Sequence, residues 1–330
     1  MDVLEANSLP WLKSAQARIR QATDRERLPH SLLILSPPGL GAEALAGWAG
    51  GLALCMHKTR RPCGECASCQ LLRANSHPDL HVVRLEEDAQ QIKVEQVRAL
   101  IDALWFKSYR GGYKVGIIES AEALNQSGAN AFLKTLEEPA QNTLLIIIAR
   151  PTHRLPATIA SRCLKISLRA PPSNEAAAWL GQRATPKDWS VALKLTGGAP
   201  LAALELEPTD FTALEREMSE DLGRLCADST DITLVAGRWL KADPGLRIAW
   251  LENWITARVL GQSMPGGQSQ TAEPVRLPAA LLKPKMRGLF ELLDAAREFR
   301  RLASTSVNQQ LALEALLLGG RKVLIDAKSQ

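Results

Sequence analysis

No run in this chain reaches the ~18 to 20 consecutive apolar residues that a membrane-spanning helix needs, so no part in a membrane is expected. Met1 to Arg20 also lacks the apolar core of a secretory leader, and the expectation is a cytoplasmic chain. Excess charge of either sign is nearly absent. The 40 lysines and arginines stand against 35 aspartates and glutamates, a net +5 that suits work near DNA and by itself shows nothing about it. Cysteine is sparse outside one place: of six, four fall between 55 and 69. Such clustering without an export signal points to a metal before it points to disulfides.

The shortage that matters most concerns two side chains. Ser36-Pro37-Pro38-Gly39-Leu40-Gly41-Ala42-Glu43 follows the apolar run Ser31-Leu-Leu-Ile-Leu35 and has the outline of a phosphate-binding loop, with the turn glycines Gly39 and Gly41 in place. A working loop reads G-x-x-x-x-G-K-[ST]: backbone N–H groups cradle the phosphates, the lysine reaches the outer oxygens and the hydroxyl holds Mg²⁺. Here the lysine position is Ala42 and the hydroxyl position is Glu43. A carboxylate at that point repels a triphosphate, and no cation offsets it. The loop is expected to keep its fold and to hold no ATP.

A second gap lies at the end of the apolar run Tyr113-Lys-Val-Gly-Ile-Ile118, which continues into Glu119-Ser120-Ala121-Glu122. In P-loop ATPases such a strand end carries an acid for Mg²⁺ and, in many, a glutamate that activates water. Glu119 is either a metal ligand or a plain strand-end acid. Ser120 stands at the base position, and an unperturbed hydroxyl takes no proton near neutral pH.

What is present is organised in three parts. The length, 330 residues with 46% hydrophobic content, suits two or three globular domains. Apolar runs at 31–35, 79–85, 113–118, 144–149 and 164–168 alternate with helix-periodic stretches at 9–29, 44–56, 92–106, 124–138 and a short one after Pro156. That alternation predicts a doubly wound α/β domain over 1–168, with the most apolar run, Leu144 to Ala149, at the centre of a parallel sheet. Pro171-Pro172 opens a small helical segment, 169–209, broken by Gly197-Gly198, and 210–330 is helical in pattern throughout. Its tryptophans Trp239, Trp250 and Trp254 read as helix-packing anchors rather than base-stacking platforms, because basic residues are not interleaved densely with them. Gly261 to Pro278 reads as a loop.

Cys55, Cys63, Cys66 and Cys69 form a C-x7-C-x2-C-x2-C array. Two-residue spacers turn successive thiolates onto one ion, and four thiolates complete a tetrahedral shell with no open position for water, so a structural zinc is expected. An iron–sulfur centre uses similar spacers but is usually followed by Cys-Pro, which is missing. Reduced, packed cysteines are the plainer alternative, although Pro62, Gly64, Glu65 and Ser68 make a poor core segment. His57, His77 and His81 are surface or packing histidines on this reading.

Several motifs together make the chain resemble the AAA+ subunits of replicative sliding-clamp loaders. They are Leu28-Pro-His-Ser-Leu-Leu, the four-cysteine insert, Ala131-Phe-Leu-Lys-Thr-Leu-Glu-Glu-Pro139, Ser161-Arg162-Cys163, Gly197-Gly-Ala-Pro200 and Asn308-Gln-Gln-Leu-Ala-Leu-Glu-Ala-Leu-Leu-Leu318. The resemblance implies a P-loop-type α/β domain with a zinc insert, a small helical lid and a C-terminal helical collar that assembles with sister subunits. The departures at Ala42, Glu43, Ser120 and Arg150-Pro151 match a member that hydrolyses no ATP, an accessory subunit of a replicative polymerase holoenzyme. Partners implied are motor subunits of the tau/gamma type, a delta clamp-opening subunit and, indirectly, the sliding clamp and primer-template DNA. In that family the Ser-Arg-Cys arginine, here Arg162, acts in trans as an arginine finger on ATP held by the neighbour. From the residue alone, a surface arginine paired with a local carboxylate is the alternative. Cys163 reads as a small buried neighbour, and Lys134 with Glu137-Glu138 as a solvated helix face. An active AAA+ ATPase and a zinc-dependent DNA-binding protein are the competing assignments for the whole chain.

Overall fold

The computed structural model describes residues 5–24, 30–86, 89, 91–151, 155–184, 189–206, 210–227, 231–263, 286–302 and 308–325. Most of the loop expected at 261–278 lies outside the described residues. By internal contacts the chain divides into two compact units, Met1–Arg183 with Gly198–Leu204, and Ala184–Gly197 with Glu205–Gln330.

The first unit is built on five parallel strands: β1 (Ser31–Leu35), β2 (Leu80–Val83), β3 (Lys114–Ile118), β4 (Thr143–Ala149) and β5 (Leu164–Ser167), in the order β2-β3-β4-β1-β5. Every residue of β3 and β4 is buried, as a sheet covered on both faces requires, and this is why those segments read as unbroken apolar runs. Leu33, Leu145, Ile147 and Ala149 share one core with α4 (Val94–Trp105) and α5 (Gln126–Glu137). Against the opposite face lies α2 (Ala42–Leu54), an alanine- and glycine-rich helix buried almost all round; a Cβ on Gly50 would sit 3.4 Å from Val115. Asn125 starts α5 by accepting the Gly128 N–H at 2.7 Å, and Pro139 follows its end. The remaining helices of this unit are α1 (Lys13–Asp24), α3 (Ala67–Arg73), α6 (Ala157–Ala160), α7 (Ser173–Gly181) and, for the most part, α9 (Pro200–Glu205). The strand and helix boundaries fall within a residue or two of the expected ones, except at the N-terminus. There the helix expected over 9–29 begins as a 3-10 turn, Pro10–Leu12, and continues as α1; another 3-10 turn, Glu5–Ser8, precedes it, and 25–29 lies outside the described residues.

The second unit is helical throughout its described residues: α8 (Ser190–Leu195), α10 (Phe211–Cys226), α11 (Ile232–Lys241), α12 (Pro244–Ser263), α13 (Met286–Leu302) and α14 (Gln309–Ile325). Trp239 and Trp250 are buried in it, as packing anchors should be. Two charges are buried with partners. Asp221 accepts from Arg238 at 2.7 Å and from the Trp239 indole N–H at 2.9 Å, and Arg247 donates to Glu217 at 2.8 Å. A buried charge held this way is stabilised by its hydrogen bonds, and it becomes costly once a partner is removed.

Candidate functional site

The loop Ser36–Glu43 joins β1 to α2 and keeps the backbone of a phosphate cradle. Gly39 and Gly41 have φ of +76° and +80°, the left-handed region that favours glycine, and Gly41 caps α2. What surrounds the loop is the chain itself. A Cβ on Gly39 would lie 2.5 Å from the Ala202 Cβ, and one on Gly41 would lie 2.6 Å from Leu9 Cδ1. The Leu201 N–H donates to the Gly39 carbonyl at 3.1 Å, and the Trp11 indole N–H donates to the Leu40 carbonyl at 2.9 Å. The 3-10 turns are held in turn by Trp179, which stacks edge-on to Trp11 at 5.1 Å and donates from its indole to Ser8 O at 2.9 Å. Ala42, at the lysine position, is only 4% exposed. Glu43, at the hydroxyl position, is exposed on the first turn of α2.

The strand-end acids are also engaged. Glu119 accepts from Arg84 Nε at 2.8 Å, a bond that raises the arginine's pKa further, and Glu122 is bridged by Arg150 Nε at 3.2 Å. Arg150, one of the departures named from the sequence, directly follows β4. Sequence reasoning found Glu119 and Arg150 and missed their partners; Arg84, just after β2, became visible only when the sheet set β2 beside β3.

The four cysteines converge. All four Sγ atoms lie within 4.8 Å of one another, with Cys55–Cys66 and Cys63–Cys69 at 3.9 Å. A tetrahedral zinc with Zn–S bonds of about 2.3 Å places its sulfurs about 3.8 Å apart, so the donor set and its spacing fit that ion. The Cys66 N–H approaches Cys63 Sγ at 3.3 Å and the Cys69 N–H approaches Cys66 Sγ at 3.5 Å, both favouring thiolate. Backbone N–H groups at Glu65 and Cys66 draw the Cys63 thiol down to about 6, whereas burial pushes Cys69 up. His77 is outside the cluster. The Ser68 hydroxyl donates to Leu54 O at 2.6 Å and accepts the His77 Nε2–H at 2.7 Å, while His77 Nδ1 accepts the Asp79 N–H at 3.1 Å. This arrangement fixes the neutral ring, and burial lowers its pKa.

Arg162 sits in the turn between α6 and β5. Its Nη1 donates to Thr158 O at 2.9 Å, and its Nη2 meets Glu137 Oε1 at 2.8 Å. The local carboxylate pair considered from the sequence is therefore present in the isolated chain. Ser31 Oγ donates to the Arg162 carbonyl at 2.7 Å, which places the arginine at the start of β1. The phosphate loop leaves the other end of the same strand, about 13 Å away for five extended residues. Cys163 donates to Ile159 O at 3.2 Å and its thiol is pushed up by burial, which does not make a nucleophile.

Known proteins compare as follows. The family model described as "DNA polymerase III, delta subunit" matches residues 11–172. The chain is 35% identical over 323 residues to the DNA polymerase III subunit delta' of Pseudomonas aeruginosa, covering 95% of this chain and 97% of that protein. It is 31% identical over 330 residues to the subunit of the same name from Yersinia pestis, covering 96% of each. A shorter match, 36% identical over 146 residues, joins 44% of this chain to 21% of the DNA polymerase III subunit tau/gamma of Haemophilus influenzae.

Proposed function

The chain belongs to the DNA polymerase III subunit delta' family, and on that premise we propose that it is a non-hydrolysing subunit of a sliding-clamp loader which lends Arg162 to ATP held by a neighbouring subunit. The observation that carries this reading is the position of Arg162. It lies at the opposite end of β1 from the chain's own phosphate loop, beyond the reach of its side chain, which supports a role at a site outside its own chain. Arginine is well matched to such a role, because its planar, permanently charged fork neutralises charge on the transferring phosphoryl group. Supplied in trans, such a group is worth several powers of ten in rate.

Silence of the chain's own loop is supported by the buried methyl of Ala42, the exposed carboxylate of Glu43, and the closure of the loop by Leu9, Trp11, Leu201 and Ala202. Glu119, the acid that would otherwise meet Mg²⁺, is engaged by Arg84, and Ser120 stands at the base position. We assign Cys55, Cys63, Cys66 and Cys69 to one structural zinc, residues 169–209 to a lid and 210–330 to a collar that joins sister subunits. The proposed partners are motor subunits of the tau/gamma type and a delta clamp-opening subunit, with the sliding clamp and primer-template DNA reached through the assembly, in the cytoplasm.

Two measurements test the proposal together. The isolated chain is expected to show no ATP turnover above background. Arg162→Ala in the reconstituted complex is expected to assemble normally and to lower the DNA-stimulated ATPase; an unchanged rate removes the finger.

A further inference from the structure

We infer that Glu137 is the positioning residue for Arg162, and that His30 and Ser31 at the head of β1 hold the two to a common frame. The inference rests on the trans-arginine reading above. Glu137 belongs to the charged end of α5, read from the sequence first as a solvated face and second as a part in DNA contact or ring communication, and its carboxylate meets Arg162 Nη2 at 2.8 Å. The two residues come from different elements, α5 and the α6–β5 turn, and their backbones are tied to consecutive residues of one strand start. The His30 Nε2–H donates to Leu136 O at 2.9 Å, one residue before Glu137, and the Ser31 hydroxyl donates to the Arg162 carbonyl at 2.7 Å. The His30 carbonyl in turn accepts the Leu145 N–H at 2.7 Å, anchoring the pair to β4.

This arrangement restrains the guanidinium without consuming it. Thr158 O and Ser161 Oγ take Nη1 at 2.9 and 3.4 Å, and Glu137 Oε1 forms an ion pair with Nη2 at 2.8 Å. The Nε–H has no hydrogen-bond partner among the described residues, which leaves a donor for a phosphate. An arginine side chain loses rotamer entropy when it is fixed, and a fork already held in place loses less on engaging its target. Glu137 is half exposed, so solvent screens its charge and its effect lies in geometry more than in field.

The test uses the reconstituted clamp loader, with assembly, zinc content and thermal midpoint checked for each variant. Arg162→Ala defines the part of the DNA-stimulated ATPase rate that depends on the finger. Glu137→Ala is expected to lower that part about 10-fold in kcat, within the losses that small misplacements of a catalytic group produce. Glu137→Gln keeps an acceptor oxygen and is expected to recover most of the loss. Glu137→Ala added to Arg162→Ala is expected to change nothing more. If Arg162→Ala itself has no effect, the trans-arginine reading fails. If it lowers the rate but Glu137→Ala matches or exceeds wild type, that reading stands and the positioning role is overturned.

Discussion

On the proposal that the phosphate loop holds no ATP, reinstalling the two missing side chains, Ala42→Lys with Glu43→Thr, separates two reasons for it: lack of chemistry and lack of room. If chemistry alone were missing, the double variant would bind Mg-ATP. The packing argues otherwise. Freeing the loop breaks the bonds from Leu201 N–H to Gly39 O and from Trp11 Nε1 to Leu40 O, roughly 0.5–1.5 kcal/mol each. Re-exposing Leu9 adds about 1.5–3 kcal/mol. The sum, about 2.5–6 kcal/mol, weakens a site of about 1 µM by roughly two to four powers of ten, to ~70 µM or beyond. Titration calorimetry with Mg-ATP on the double variant is therefore expected to show no binding in the low micromolar range. Adding Leu9→Ala is expected to bring part of it back. Low-micromolar binding by the double variant alone would refute the steric half of the reasoning.

Other outcomes follow from single groups. One zinc per chain is expected by metal analysis, and Cys69→Ser, at the most buried ligand, is expected to lose it; purified wild-type protein without metal would count against the assignment. Asp221→Ala strands the buried Trp239 indole while the partly exposed Arg238 turns to water, and a loss of about 1–3 kcal/mol in urea denaturation is expected, with Asp221→Asn costing less. His77 has its pKa lowered by burial, so the unfolded chain takes the proton more readily. The stability it contributes is present above about pH 6.5, its unfolded value, and is lost as pH falls towards the folded one. Urea midpoints at pH 7.5 and 5.5 should differ less in His77→Asn than in wild type, and an equal difference would exclude this histidine as a source.

The features legible in the sequence were those set by local pattern. Unbroken apolar runs marked β3 and β4 because both faces of those strands are covered, and the two-residue spacers marked the thiolate cluster because three of its four ligands lie within one loop and the first turns of α3. Ala42 and Glu43 were visible as missing chemistry. The missing room was not, because Leu9, Leu201 and Ala202 reach Gly39 and Gly41 from distant parts of the sequence. Arg84 with Glu119, and Arg162 with Glu137, were hidden for the same reason: each pair joins elements that only the sheet order brings together. Gly197-Gly198 was readable as a break between α8 and α9. Tertiary contacts, and no local signal, assign 184–197 to one unit and 198–204 to the other.

The strand β1 carries a consequence for timing. On the proposed function, one of its ends is closed by the chain's own Leu9, Leu201 and Ala202 and the other carries the lent Arg162, so ATP arriving at this chain's own loop is not what advances that group. On the proposed function the subunit acts as a stationary post, and the clock of each loading cycle is kept entirely by the molecule next door.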